Sequence, residues 1–133
     1  MSIYYTSSFD KVKDLIEMGY EDFISIAGNT PDWFSEKIGK DSRFKKLSCL
    51  APKYSWWKDW KDGKLTNEDY EKLYKETVLD KLDYKELKTS FGCNSVFLCY
   101  EDSNEFCHRH LFANWLKEEH KKFCGLDDEN LVR

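Results

Sequence analysis

The stretch from Val96 to Cys99 is the feature that most constrains the fold of this chain. It reads Val-Phe-Leu-Cys and contains no polar residue that would mark a solvent-facing side. An unbroken apolar run predicts a strand that is buried on both faces, as in the middle of a parallel sheet. We therefore predict a central strand over 94–101. Because parallel strands need long crossover connections, the rest of the chain must supply helices for both faces of the sheet.

Apolar periodicity elsewhere predicts those helices and the partner strands. Strands are predicted over 3–6, 22–27 and 44–50. Helices are predicted over 9–18, 54–62, 67–78, 83–90 and 107–123. This alternation predicts one α/β domain over 1–133, a layered, Rossmann-like open sheet that is mostly parallel and flanked by helices. A polar C-terminal tail is expected from about residue 125.

Three local signals mark helix ends. Thr66 or Asn67 is predicted to cap the helix that extends to Val78, and Gly19 is predicted to end the first helix. Thr30 is predicted to cap a short helix that has Pro31 at its first position.

Composition and charge limit the location and the partners. No apolar run approaches the roughly 20 residues that cross a membrane, and the N-terminus lacks a signal-peptide pattern, so we expect a cytoplasmic protein without a membrane partner. The five cysteines are an odd number with irregular spacing, which favours reduced thiols. A formal net charge of −4 disfavours broad binding to duplex nucleic acid but is compatible with a single base or a free nucleotide.

The richest chemistry lies where the central strand ends and the last helix begins. Cys99 and Glu101 stand at the end of the strand, and Cys107, His108 and Arg109 open the helix. Ligands of open α/β sheets bind at such corners, and a helix N-terminus favours anions. Arg109 is therefore predicted to bind an anion. Glu101 is predicted to act as general acid/base or nucleophile, His108 to orient or transfer a proton, and Cys107 to be a reactive thiol.

A purely structural interpretation of these residues is equally compatible with their spacing. In it Arg109 forms an ion pair with Glu101, and Cys107 is a small buried residue. Cys99 is expected to be a core residue. No CxxC or HxxxH spacing is present, so we expect no metal and no cofactor.

The second predicted strand ends at Gly28, on the same edge of the sheet if the strands are parallel. Asn29 and Thr30 follow it and are predicted to help Arg109 bind an anion. Trp33 and Trp57 are candidates for stacking on a nucleobase, although aromatic residues at such spacing more often cover a core.

The same residues carry a resemblance to a known family. Cys99 and Glu101 followed by Cys107-His108-Arg109 resemble the C-x-E-x(5)-C-H-R signature of the domain-of-unknown-function family 488 (DUF488). Ser25-Ile-Ala-Gly-Asn-Thr-Pro31 and Leu50-Ala-Pro52 are also similar to small bacterial and phage members of that family. The resemblance implies an α/β domain with the signature residues gathered at one site, and an enzyme acting on nucleotides or nucleic acids. Many relatives carry an arginine where this chain has Gly28-Asn29.

The leading hypothesis is a cytoplasmic enzyme that acts on a small phosphate-bearing ligand, a nucleotide or a nucleic-acid end, by a glycosidic-bond or other hydrolytic reaction. A second hypothesis is a non-catalytic module that binds a nucleotide or a protein. A third is thiol-based chemistry at Cys107. The oligomeric state does not follow from the sequence.

Overall fold

The computed structural model describes residues 4–91, 94–100, 108–124 and 131–132. Within these ranges the strands form one sheet in the order β3-β2-β4-β1-β5, and every pair of neighbours is parallel. The strands are β1 (Tyr4–Ser8), β2 (Phe23–Ser25), β3 (Phe44–Lys46), β4 (Val96–Cys99) and β5 (Leu131–Val132). The predicted α/β fold with a parallel, Rossmann-like open sheet is confirmed.

Helices connect the strands and cover both faces of the sheet. They are α1 (Val12–Glu17), α2 (Asp32–Ser35), α3 (Tyr54–Lys61), α4 (Asn67–Thr77), α5 (Tyr84–Leu87) and α6 (His108–Cys124). Short 3-10 turns occupy Phe9–Lys11, Ser48–Leu50, Leu79–Lys81 and Lys88–Ser90. No helix in the described part of the chain combines the length and apolar character that a membrane span requires.

Strand β4 lies between β1 and β2, and Leu98 is in register with Ser7 on one side and Ser25 on the other. Alternate side chains of a strand point to opposite faces, which divides the core into two layers. Phe97 joins the layer under α4 and α6, whereas Val96 and Leu98 join the layer under α1 and α2. All three are fully buried, as the apolar run requires.

Two of the predicted helix ends are confirmed. Thr66 accepts a hydrogen bond from the backbone N–H of Asp69, and the Asp69 carboxylate accepts one from the N–H of Thr66, which together form a capping box. Gly19 follows α1 with a φ of +99°, a left-handed conformation that favours glycine.

Three local predictions were wrong. Pro31, rather than Thr30, is the N-cap of α2, and no side-chain hydrogen bond caps that helix. The strand predicted over 44–50 ends at Lys46, where the chain turns so that Leu50 enters the core and its carbonyl accepts a hydrogen bond from the Tyr74 hydroxyl at 2.6 Å. The 83–90 helix is divided into α5 and a 3-10 turn. In the last two cases a 3-10 turn, which apolar periodicity does not detect, ends the regular element.

Candidate functional site

The carboxyl ends of β2 and β4 lie side by side at the point where the chain connections diverge. From β2 the chain passes through α2 to β3 at one edge of the sheet, and from β4 it passes through α6 to β5 at the other edge. Loops that leave neighbouring parallel strands in opposite directions open a crevice between them, which is the usual ligand site of open α/β sheets.

A cleft of about 450 Å³ occupies this position. Its walls come from the segments after β2 and β4, from the start of α6 and from α3. The lining residues are Ala27, Gly28, Asn29, Pro52, Tyr54, Trp57, Lys61, Cys99, Tyr100 and His108.

His108 forms the inner end of the cleft and is held from two sides. Its side chain is 2% exposed, and its Nε2 lies 2.7 Å from the carbonyl oxygen of Ile26, just beyond β2. A carbonyl oxygen only accepts hydrogen bonds, so Nε2 donates, and in the neutral imidazole Nδ1 is the acceptor nitrogen. The ring of Tyr74 packs against the imidazole at a centroid distance of 5.5 Å. The tautomer of His108 is therefore set by the backbone.

The acceptor nitrogen of His108 faces the thiol of Cys99. Nδ1 lies 3.8 Å from Sγ, within hydrogen-bonding range for sulfur. Cys99 is 3% exposed, in agreement with the expectation that it is buried at the end of the strand. It nevertheless lines the cleft, so its thiol is both packed in the core and directed toward the candidate site.

Aromatic rings form the outer wall. Tyr54 and Trp57 lie one turn apart on α3 with their centroids 5.9 Å apart, and Lys61 places its Nζ 5.6 Å from the centroid of Trp57. Tyr100 is half-exposed and packs edge-to-face against Phe9. Burial raises the pKa of Tyr100 above its usual value, and the negative charges of Cys99 and Asp32 raise it further. This tyrosine therefore stays neutral near pH 7.

Arg109 directly follows His108 in the sequence, but it is not among the residues that line the cleft. Its side chain is 1% exposed, and within the described ranges neither Nε nor Nη1 has a hydrogen-bond partner. Buried guanidinium groups almost always have polar or charged partners, because water is no longer available to them. Among the described residues, Arg109 is thus a buried donor with two unsatisfied nitrogens, and it directly follows His108 of the cleft.

The other predicted site residues fall into three groups. Asn29 and Trp57 line the cleft with His108. Trp33 lies in a different groove with Lys37 and Phe44, and Thr30 is partly buried outside the cleft lining. Glu101 and Cys107 lie outside the described residues.

Sequence patterns gave no role to Lys61 or to the Ile26 carbonyl. Lys61 follows Tyr54 by seven residues and Trp57 by four, so these side chains share a face of α3, and this spacing was available as a signal. The Ile26 carbonyl is a backbone group that any residue type would provide, so no sequence signal marks it.

A second groove of about 530 Å³ lies at the opposite, amino-terminal edge of the strands, lined in part by Tyr20, Asp22 and Asn94. There Asp22 pairs with Lys45 at 3.0 Å and accepts a hydrogen bond from Ser95 at 2.5 Å. These bonds tie β2, β3 and β4 together, which indicates a structural role rather than a ligand site.

Comparison with known proteins identifies the family of the chain. Residues 26–120 match the model of the family described as DUF488-N3a, active DUF488-N3 subclade. The match begins at the Ile26 carbonyl that holds His108 and includes every residue lining the cleft. No curated protein and no solved structure matches the chain.

Proposed function

The chain belongs to the DUF488 family, and we propose that it is an enzyme that binds a nucleotide, or a related phosphate-bearing ligand, in the cleft between β2 and β4. The observation that carries the proposal is the position of this cleft at the divergence of two parallel strands, with an aromatic wall opposite a buried histidine. The family description of an active subclade supports catalysis.

The aromatic wall suits a flat ring. Trp57 and Tyr54 offer aromatic surface on which a nucleobase stacks, and the Nζ of Lys61 lies over the Trp57 ring as a cation. The backbone around Gly28 lies across the cleft, and no heavy atom lies within 4 Å of the place a Cβ would take there. Phosphate groups therefore have room at the end of β2.

Lys46 offers a substitute for the arginine that many relatives carry near Gly28. It extends from the end of β3 and donates a hydrogen bond from Nζ to the Gly28 carbonyl at 3.0 Å. A positive charge thus stands at the end of β2 although the chain has Gly28-Asn29 there. Together with Lys61, it supplies the charge that an anionic ligand needs.

The proposed chemistry assigns acid/base work to Glu101, which follows Tyr100 directly in the sequence. Among the described residues, two nitrogens of Arg109 have no hydrogen-bond partner, so we assign them to a phosphate of the ligand or to the Glu101 carboxylate. A hydrolytic reaction at a glycosidic bond suits a carboxylate that stabilises positive charge at a sugar carbon.

Replacing Trp57 by alanine is expected to abolish most nucleotide binding. In a thermal-shift screen of nucleotides, nucleosides, sugar phosphates and inorganic phosphate, a hundredfold excess of ligand over its Kd stabilises the native protein by about 2.7 kcal/mol. Loss of one stacking ring weakens binding by about 1–3 kcal/mol. Trp33→Ala is the matched control, because Trp33 is a partly exposed tryptophan in another groove. Equal losses in both variants, or no nucleotide hit, would contradict the proposed site.

Replacing Glu101 by glutamine is expected to abolish turnover while leaving the ligand-induced thermal shift intact. The amide keeps the shape of the side chain but neither accepts a proton nor carries the negative charge. Product formation is followed by chromatography with the nucleotide that the screen identifies. Unchanged turnover would exclude the catalytic role of Glu101. Binding without product formation in the wild-type protein would instead indicate a non-catalytic binding module.

A further inference from the structure

We propose that Cys99 is the nucleophile of the cleft and that His108 is its general base. The observation is a chain of contacts from the Ile26 carbonyl through the imidazole to the thiol, with 2.7 Å at Nε2 and 3.8 Å at Nδ1. A nucleophile within reach of a base that a third group orients is the usual arrangement of an activated thiol. The sequence pattern predicts thiol chemistry at Cys107, whereas the geometry points to Cys99.

The direction of proton transfer follows from the hydrogen bonds. Because Nε2 donates to the Ile26 carbonyl, the lone pair of Nδ1 is the one that faces Sγ. The proton of the thiol can therefore pass to Nδ1, which leaves a thiolate beside an imidazolium. Burial imposes a desolvation cost on both charges, and their attraction, which is stronger in the buried site than in water, opposes that cost. Tyr74 packs against the imidazole.

The covalent step is an addition to an electron-poor unsaturated carbon in the planar ring of the ligand. A bond forms between Sγ and that carbon, and the π bond of the carbon breaks. The electron pair moves to the neighbouring ring atom, which takes the proton from Nδ1 of His108. Atoms and electrons balance without a further reactant, and the reverse sequence restores the thiol. The identity of the ligand rests on the proposed function, but the reactivity of the thiol does not.

The experiment measures the ionisation of Cys99 and its reactivity with iodoacetamide in the full-length protein at neutral pH. The alkylation forms an S–C bond, releases iodide and leaves the thiol proton on His108. Cys49 is the internal control, because it is a reduced, exposed cysteine whose pKa is raised by partial burial. Exposure alone predicts faster labelling of Cys49, whereas the proposal predicts that Cys99 is labelled on the order of tenfold faster.

An absorption measurement distinguishes the ionisation of the Cys99 thiol from its accessibility to iodoacetamide. The ultraviolet absorption band of a thiolate is expected in the wild type and in Cys49→Ser, and it is expected to vanish in Cys99→Ser and in His108→Gln. Circular dichroism checks that the variants fold, and mass-spectrometric mapping of the wild type needs no variant. Faster labelling of Cys49 together with the absence of a thiolate band would overturn the proposal and leave Cys99 as a core residue.

The nucleotide screen distinguishes this inference from the proposed function. A thiolate at Cys99 without any nucleotide binding would support Cys99 as the nucleophile and would exclude nucleotides as the ligand. Nucleotide binding without a thiolate would keep the proposed function and reject Cys99 as nucleophile. If both hold, a bound nucleotide is expected to protect Cys99, but not Cys49, from iodoacetamide.

Discussion

Replacing Phe97 by alanine is expected to lower the free energy of unfolding by about 3–5 kcal/mol, a large part of the 5–15 kcal/mol typical of a domain. Phe97 is fully buried in the central strand and packs edge-to-face on Phe91 at 5.2 Å and on Phe112 at 4.9 Å. Truncation removes these contacts and leaves a cavity between β4 and α6 that the surrounding backbone cannot fill.

Urea denaturation followed by circular dichroism measures this loss. Met18→Ala is the control, because Met18 is 70% exposed at the end of α1 and its truncation is expected to change stability by less than about 0.5 kcal/mol. A loss below about 1 kcal/mol for Phe97→Ala would mean that α6 does not pack on the sheet as described.

Replacing Arg109 by methionine is expected to raise the free energy of unfolding of the ligand-free protein by about 1–3 kcal/mol. The guanidinium of Arg109 is 1% exposed, and two of its nitrogens have no hydrogen-bond partner in the part of the chain that the structure describes. Methionine has a similar length, a high helix propensity and no polar hydrogen to satisfy. As far as the described residues go, the substitution thus removes a desolvation penalty rather than an ion pair.

Arg43→Met is the matched control for this prediction. Arg43 is half-exposed and donates to the Asp41 carboxylate, with the closest contact at 2.7 Å. Its replacement removes a surface ion pair and is expected to lower stability by no more than about 1 kcal/mol. Opposite signs for the two arginines in urea denaturation support the description of Arg109. A large loss of stability in Arg109→Met would show that the guanidinium has a partner in the folded protein.

Such a stabilised variant bears on function as well. Under the proposed function, the buried guanidinium of Arg109 donates hydrogen bonds to the bound anion. The same variant is therefore expected to lose ligand-induced stabilisation in the nucleotide screen while gaining intrinsic stability.

Two tryptophans show how much of a ligand site can be predicted from sequence patterns. The sequence makes both Trp33 and Trp57 candidates for stacking, Trp57 because it belongs to the aromatic cluster over 54–60 and Trp33 because it follows the predicted turn at Gly28. The fold places Trp57 in the cleft and Trp33 in a groove beside α1. The difference arises from which face of the sheet each helix covers, and that depends on the direction of the crossover connections.

The sequence alone determined the central strand and the parallel α/β fold, and it indicated the strand-to-helix junction that contributes Cys99 and His108 to the candidate site. These follow from local patterns: an unbroken apolar run, alternation of strands with helices, and a cluster of ionisable residues at one strand-to-helix junction. Only the tertiary structure decided that Cys99 meets His108, that Ile26 sets the histidine tautomer, and that Lys46 reaches Gly28. The physical reason is that these contacts join backbone atoms and side chains from different strands, and their distances depend on strand order and register rather than on any pattern along the chain.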